Sequence, residues 1–196
     1  MKKQHLFFLS AALLILIAFV FVQFLSFHEV RVDAGGWKIK DPLFELLPQK
    51  NYSLLIFSIT YSSLLLYFVL ARKQTLFLSK IMIAYTLLLL FRLLTLSVIP
   101  LSTPEDIIFL QDPFLNNLIY SGEIDSDLFF SGHTALILLF FFLTKKWIFA
   151  FLALLIGLLL IAQHVHYTID VLAALPFSYL IVKIGSLVLK KIKVSE

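Results

Sequence analysis

The chain has 196 residues, 61% of them hydrophobic, with a net charge of +4 and a mean hydropathy of +0.99. Apolar content that far above the roughly 45–50% of soluble domains marks a membrane-embedded chain with no room for a separate soluble domain. The absence of cysteine excludes disulfides, thiolate nucleophiles and thiolate zinc sites. The bases sit at the ends of apolar runs instead of forming a stripe, which argues against a nucleic-acid partner.

Met1-Lys-Lys-Gln-His5 precedes an apolar run from Leu6 to about Phe27. The run exceeds the ~7–15 residues of a signal-peptide core and no small-residue cleavage pair follows promptly, so an uncleaved first span is expected. His28 to Lys50, polar and punctuated by Gly35-Gly36 and two prolines, reads as a loop with Trp37 at the membrane interface. Runs at about Tyr52 to Ala71 and Leu76 to Ile99 follow, each able to cross a core of ~30 Å at ~1.5 Å per residue. Leu101 to Asp127 holds no Lys or Arg, carries Glu105, Asp106, Asp112, Glu123, Asp125 and Asp127, and has Pro104 and Pro113 to break helix. It reads as a second long loop.

The last third offers apolar runs at Leu128 to Thr144, Trp147 to Gln163 and Tyr167 to about Leu189. Treating the first two as one broken helix would leave Lys145-Lys146 in lipid, where a central Lys costs about 2.5–3.5 kcal/mol. The expected fold is therefore all-α, a single domain over residues 1–196 forming an integral membrane bundle of six transmembrane helices. Lys2-Lys3, Arg72-Lys73 with Lys80, Lys145-Lys146 and Lys190-Lys191-Lys193 then share one face, and the base-free loop lies on the other. The positive-inside rule places both termini in the cytoplasm. Arg31, Lys38, Lys40 and Lys50 in the first loop are the exception.

With this topology, two distant polar clusters reach the non-cytoplasmic face at one depth. One is Asp127-Leu-Phe-Phe-Ser-Gly-His-Thr134, where Ser131-Gly132 at a helix start offers free N–H groups and close backbone approach to an anion. The other holds His166 and Asp170, which on a helix share a face, so that the carboxylate holds one ring nitrogen and turns the other outward. Arg92, about 12 Å inside its span, is expected to face the bundle and bind phosphate, with snorkelling or a structural ion pair as the plainer readings. His164 would point elsewhere on a continuous helix. A zinc site from His133, His164, His166 and Asp170 is a weak alternative, because histidines two apart suit a strand. His5, His28, Glu105 and Glu123 read as structural or solvated groups.

Ser126-Asp-Leu-Phe-Phe-Ser-Gly-His-Thr134 and His164-Val-His-Tyr-Thr-Ile-Asp-Val171 resemble the two signature stretches of the sphingomyelin synthase family, within the type 2 phosphatidic acid phosphatase superfamily. Arg92-Leu-Leu-Thr95, followed by Pro100 and Pro104, is similar to that family's earlier arginine-bearing stretch, and Asp41-Pro42-Leu43 echoes its first motif. The Cys-Gly that often precedes the first motif's aspartate is Asp125-Ser126 here, which leaves the lipid substrate open. The Ser-Arg found upstream of the second histidine in the broad phosphatase group is missing, which turns the likeness toward the synthase branch.

The resemblance implies that His166 attacks phosphorus, Asp170 orients it, His133 protonates the departing alcohol and later activates the acceptor, and Asp127 supports His133. The implied reaction moves a phosphorylated head group from a phospholipid donor to a lipid alcohol acceptor by double displacement through a phosphohistidine, with no metal or cofactor. Hydrolysis with water as acceptor uses the same cluster, giving a lipid phosphatase or phospholipase C activity. A proton-coupled carrier is the third reading.

Overall fold

In the computed structural model, which describes residues 2–33, 35–113 and 128–192, the apolar runs become six helices. They are α1 Lys3–Asp33, α2 Ser53–Ala71, α3 Thr75–Val98, α4 Gly132–Thr144, α5 Trp147–Ala162 and α6 Thr168–Ile192. No strand forms among the described residues, although a one-residue parallel bridge joins Trp37 to Leu101. Four helices, α1, α2, α3 and α6, are long and apolar enough to cross a membrane. The chain is a helical, multi-pass membrane protein.

Two boundaries differ clearly from the sequence reading. α1 continues six residues past Phe27 to Asp33, because no glycine or proline interrupts it before Gly35, and a helix leaving the hydrocarbon keeps its internal hydrogen bonds. The chain turns at Gly35, whose φ of 154° suits a residue without Cβ. α4 starts at Gly132 instead of Leu128. Leu128 is instead buried with Leu101 and Tyr167, and the Thr95 hydroxyl donates to the Phe129 carbonyl at 3.1 Å, so tertiary contacts hold this segment out of the helix. With 13 and 16 residues, α4 and α5 reach only about 20 and 24 Å at 1.5 Å per residue. They are nonetheless separate: Lys145 ends α4 in the left-handed conformation at φ 59°, its N–H donating to the Phe141 carbonyl at 2.7 Å.

Side-chain pairs fix how the helices run. Phe141 meets Trp147, Phe140 meets Phe149, and Thr134 faces Gly157, so α4 and α5 are antiparallel. Phe57 meets His133 and Tyr67 meets Phe140, making α2 and α4 parallel. Ser10 with Met82 and Phe21 with Arg92 make α1 and α3 parallel. Phe91 with Phe177, and Ile83 and Leu87 with Gly185, make α3 and α6 antiparallel. One end of the bundle therefore gathers the starts of α2, α4 and α6 with the ends of α1, α3 and α5. The basic links Arg72-Lys73 and Lys145-Lys146, with Lys190-Lys191, lie at the other end.

Lipid tails are as apolar as leucine, so helices in a bilayer associate through close packing and interhelical hydrogen bonds. Small residues supply the close approach: a Cβ at Gly157 would come within 2.6 Å of Val171 Cγ1, and Ser178 donates to the Ala135 carbonyl at 3.3 Å. These contacts seat α4 and α5 against α6 and bring the starts of α4 and α6 together.

Candidate active site

His166 does not lie on α6, as the four-residue spacing to Asp170 had suggested; it sits in the tight turn before the helix. The pairing survives for another reason. Asp170 is the third residue of α6, and its Oδ2 accepts the Tyr167 N–H at 3.0 Å, closing the first turn as the acid of a capping box does. The same oxygen lies 3.5 Å from His166 Nδ1, and both side chains are buried. Nδ1 thus faces the carboxylate at ion-pair distance, short of a hydrogen bond, and Nε2 is turned away from it.

The start of α4 is tied to this turn through the Ser131 N–H, which donates to the Asp170 carbonyl at 3.1 Å. The Ser131 hydroxyl is fully buried and caps α4, accepting from the Thr134 N–H at 3.4 Å and donating to the Thr134 hydroxyl at 3.1 Å. Ser131 thus frames the cradle with its side chain and does not project into it. His133, partly buried, presents an edge to the Phe57 ring at 5.6 Å.

Arg92 is only 2% exposed, and its guanidinium lies against the start of α4: a Cβ at Gly132 would sit 3.2 Å from Nη1 and 3.3 Å from Cζ. The rings of Phe21 and Phe130 lie 5.8 and 5.6 Å from Cζ, and the guanidinium also interacts electrostatically with Asp170. The bundle-facing expectation for Arg92 holds, and snorkelling does not.

Sequence reasoning missed the part played by the first loop. Asp41, buried, accepts the Thr168 N–H and the Thr168 hydroxyl at 2.5 and 2.9 Å, and the Leu43 N–H at 3.0 Å. Phe44 stacks on His164 at 4.1 Å and on Tyr167 at 5.6 Å. Gln49 reaches the Asp106 carbonyl and His164 Nδ1. The loop therefore brackets His166 from both sides. Its signal was the Asp41-Pro42-Leu43 echo, too short to carry a role. Gln163, fully buried, joins three elements: its amide accepts from the Tyr52 N–H at 2.7 Å and donates to Ser53 Oγ and the Ile108 carbonyl, both at 2.9 Å. A lone glutamine at a span end carries no sequence signal of that kind.

Asp127 and Glu123 lie outside the described residues. Glu105 is an exposed acid paired with Lys38 at 2.8 Å. Their hydrogen bond, reinforced by charge attraction, holds Lys38 above its ordinary pKa and Glu105 below. Trp37, expected at the interface, is exposed and also tethers the loop, donating to the Pro100 carbonyl at 2.7 Å and accepting from the Ser102 N–H at 2.9 Å. Tyr167 is pushed up by burial and so keeps its proton, donating to the Ser102 carbonyl at 3.0 Å. Among the described residues, no three His, Asp or Glu side chains are grouped to hold a metal ion. A cleft of about 240 Å³ lined by Asn51, Ser53, Leu54, Gln111 and Pro113 opens at the start of α2, and none of the candidate catalytic residues lines it.

Two imidazoles, an orienting carboxylate, a buried guanidinium and a helix start with a glycine collect at one end of the bundle. Comparison with known families agrees with that chemistry. Residues 126–187 match the family described as PAP2 superfamily C-terminal. The matched third of the chain contains α4, α5 and most of α6, with His133, His166 and Asp170. PAP2 similarity supports the type 2 phosphatidic acid phosphatase superfamily and, with it, lipid phosphatase or phosphotransferase chemistry in a bilayer. Comparisons with curated proteins and with solved structures gave no match.

Proposed function

We propose that the chain is a membrane lipid phosphotransferase of the sphingomyelin synthase type, working as one six-span domain with cytoplasmic termini and its site at the non-cytoplasmic face. The observation that carries this reading is the juncture of the α4 and α6 starts, where His166 is held by Asp170 and Arg92 lies on Gly132. The basic links at the opposite end support the orientation.

In the proposed reaction, the phospholipid's phosphoryl group sits at the α4 start, within reach of Arg92. His166 Nε2 attacks phosphorus, the bond to the departing lipid alcohol breaks, and His133 gives that oxygen a proton. His133, now neutral, takes the proton of the acceptor hydroxyl, which attacks the phosphohistidine; the P–N bond breaks and His166 is restored. Asp170 stabilises the ring as positive charge develops on it. Asp127, six residues before His133, is assigned to support that histidine. The chain's own groups account for each proton.

Purified protein in vesicles containing phospholipid and candidate lipid alcohols tests the proposal. A phosphorylated His166 trapped under turnover, with head group appearing on the acceptor lipid, supports it. Unchanged lipids, or Asp170→Asn acting like wild type, would end it. Hydrolysis is the second reading, favoured by the phosphatase superfamily match. Release of free phosphate or free phosphorylated head group, in place of a new lipid, identifies it. Transport without covalent product would point to a carrier.

A further inference from the structure

Two residues before His166, a third histidine is held in a way its place in the turn does not require. His164 lies two residues past Ala162, the last residue of α5, and takes the left-handed backbone conformation, φ 57°, uncommon for a residue with a side chain. Its ring is clamped flat against Phe44, with centroids 4.1 Å apart and planes at 20°. The side chain is 7% exposed.

The tautomer follows from the neighbour. Gln49 Nε2 donates one hydrogen to the Asp106 carbonyl and lies 3.2 Å from His164 Nδ1. An amide nitrogen only donates, so Nδ1 accepts and the ring's proton is on Nε2. That Nε2–H is buried and has no acceptor among the described residues. Buried donors are almost always satisfied, and one that is fixed in direction yet lacks an acceptor among the described residues is poised for a ligand.

Given the proposed function, on which this rests, we propose that His164 is a substrate-binding residue whose Nε2–H donates to an oxygen of the phosphorylated head group. The group it recognises is a phosphoryl oxyanion, met in the same turn that carries His166. Gln49 and Phe44 are its positioning residues: one fixes the proton, the other the ring plane. The plainer role, a left-handed end to α5, needs neither the imidazole nor the unmatched N–H.

His164→Gly separates these roles, since glycine keeps the left-handed turn and removes the ring. Losing one hydrogen bond to a charged ligand is expected to raise KM about tenfold or more with a smaller change in kcat, read well below the unfolding midpoint because removing the ring from Phe44 and Gln49 also lowers thermal stability. In the full chain labelled with ¹⁵N-histidine, the His164 Nε2 resonance is expected to move on adding inorganic phosphate or phosphatidylcholine vesicles. A shift with phosphate alone identifies recognition of the oxyanion itself; a shift only with vesicles identifies recognition of the lipid head group. An unchanged KM in His164→Gly, or a His164 resonance indifferent to both ligands, overturns the inference. Activity lost only in step with thermal unfolding assigns the residue to packing and overturns it too. A wild type that shows the His164 shift but no turnover removes the proposed function and leaves the binding site standing.

Discussion

Gly132→Ala is the sharpest perturbation of the site, because it adds one methyl group at the meeting of α4 and Arg92. The new Cβ would lie 3.2 Å from Nη1, 3.3 Å from Cζ and 3.5 Å from Nε, closer than the 3.5–4.0 Å optimum for such contacts at two of the three atoms. The guanidinium must yield by a few tenths of an ångström, with Phe21 and Phe130 against it. Overpacking of this kind costs about 1–3 kcal/mol, while alanine in place of glycine in a helix returns up to about 1 kcal/mol. The net loss of stability is therefore small, roughly 0–2 kcal/mol by those two terms. Catalysis is more sensitive: misplacement by 1 Å can cost about 10²-fold, so a shift of a few tenths should lower kcat/KM by several-fold to tenfold. Turnover in phospholipid vesicles, beside thermal unfolding in detergent, measures both. In an Arg92→Lys background the clash partner is gone and Gly132→Ala should cost little more, a non-additive pair. Full activity in Gly132→Ala, or strictly additive losses in the double variant, would refute the idea that Arg92 acts from its seat on Gly132.

Asp41→Asn should weaken both bonds to Thr168 and lower kcat more than it raises KM, with partial recovery in Asp41→Glu; equal activity across all three would remove the first loop from the site. Gly157→Ala should destabilise the α5–α6 contact by about 1–3 kcal/mol through its clash with Val171, and Val171→Ala in the same chain should recover most of that, both read from thermal unfolding. The Lys38–Glu105 pair predicts two pH edges for the tether near Trp37. Glu105 is depressed, so its contribution is present above its unfolded value of 4.5 and lost as pH falls through the folded value; Lys38 is raised, so its contribution is present below 10.5 and lost as pH rises through its folded value. Both groups are exposed, so Trp37 fluorescence should change only slightly at either edge and Glu105→Gln should abolish the acid one.

The helices were legible because apolar length is a direct physical demand of the bilayer, and four of the six, α2, α3, α5 and α6, match their hydropathy runs to within a few residues at both ends. α4 was misjudged at its start, since Leu128 and Phe129 are as apolar as any span residue and only their contacts with Leu101, Tyr167 and Thr95 keep them out of the helix. His133, His166 and Asp170 were visible as ionisable groups in an apolar chain. Their local geometry was not: the His166–Asp170 spacing suggested a helix face, whereas the contact arises from a turn closed by the acid's own capping bond. Asp41, Phe44, Gln49 and Gln163 act over sequence separations of more than a hundred residues, and such pairings leave no local pattern.

The two neighbouring helix starts differ in a way that bears on where an anion goes. Each α-helix start carries free N–H groups and roughly half a positive charge. At α6 that charge is already met by two carboxylates, Asp170 on the Tyr167 N–H and Asp41 on the Thr168 N–H. The first turn of α4 has no acid, its cap is a neutral serine hydroxyl, and the Arg92 guanidinium adds a full charge beside Gly132. In the proposed reaction a phosphate entering this end of the bundle meets carboxylate oxygens at the α6 start, whereas the first turn of α4 carries no acid and has the Arg92 guanidinium beside it. It should settle on α4, leaving the turn before α6 to present His166. On that reading the acids at the α6 start do more than stabilise the helix: by occupying the competing anion site they would leave the phosphate to the α4 start, facing His166.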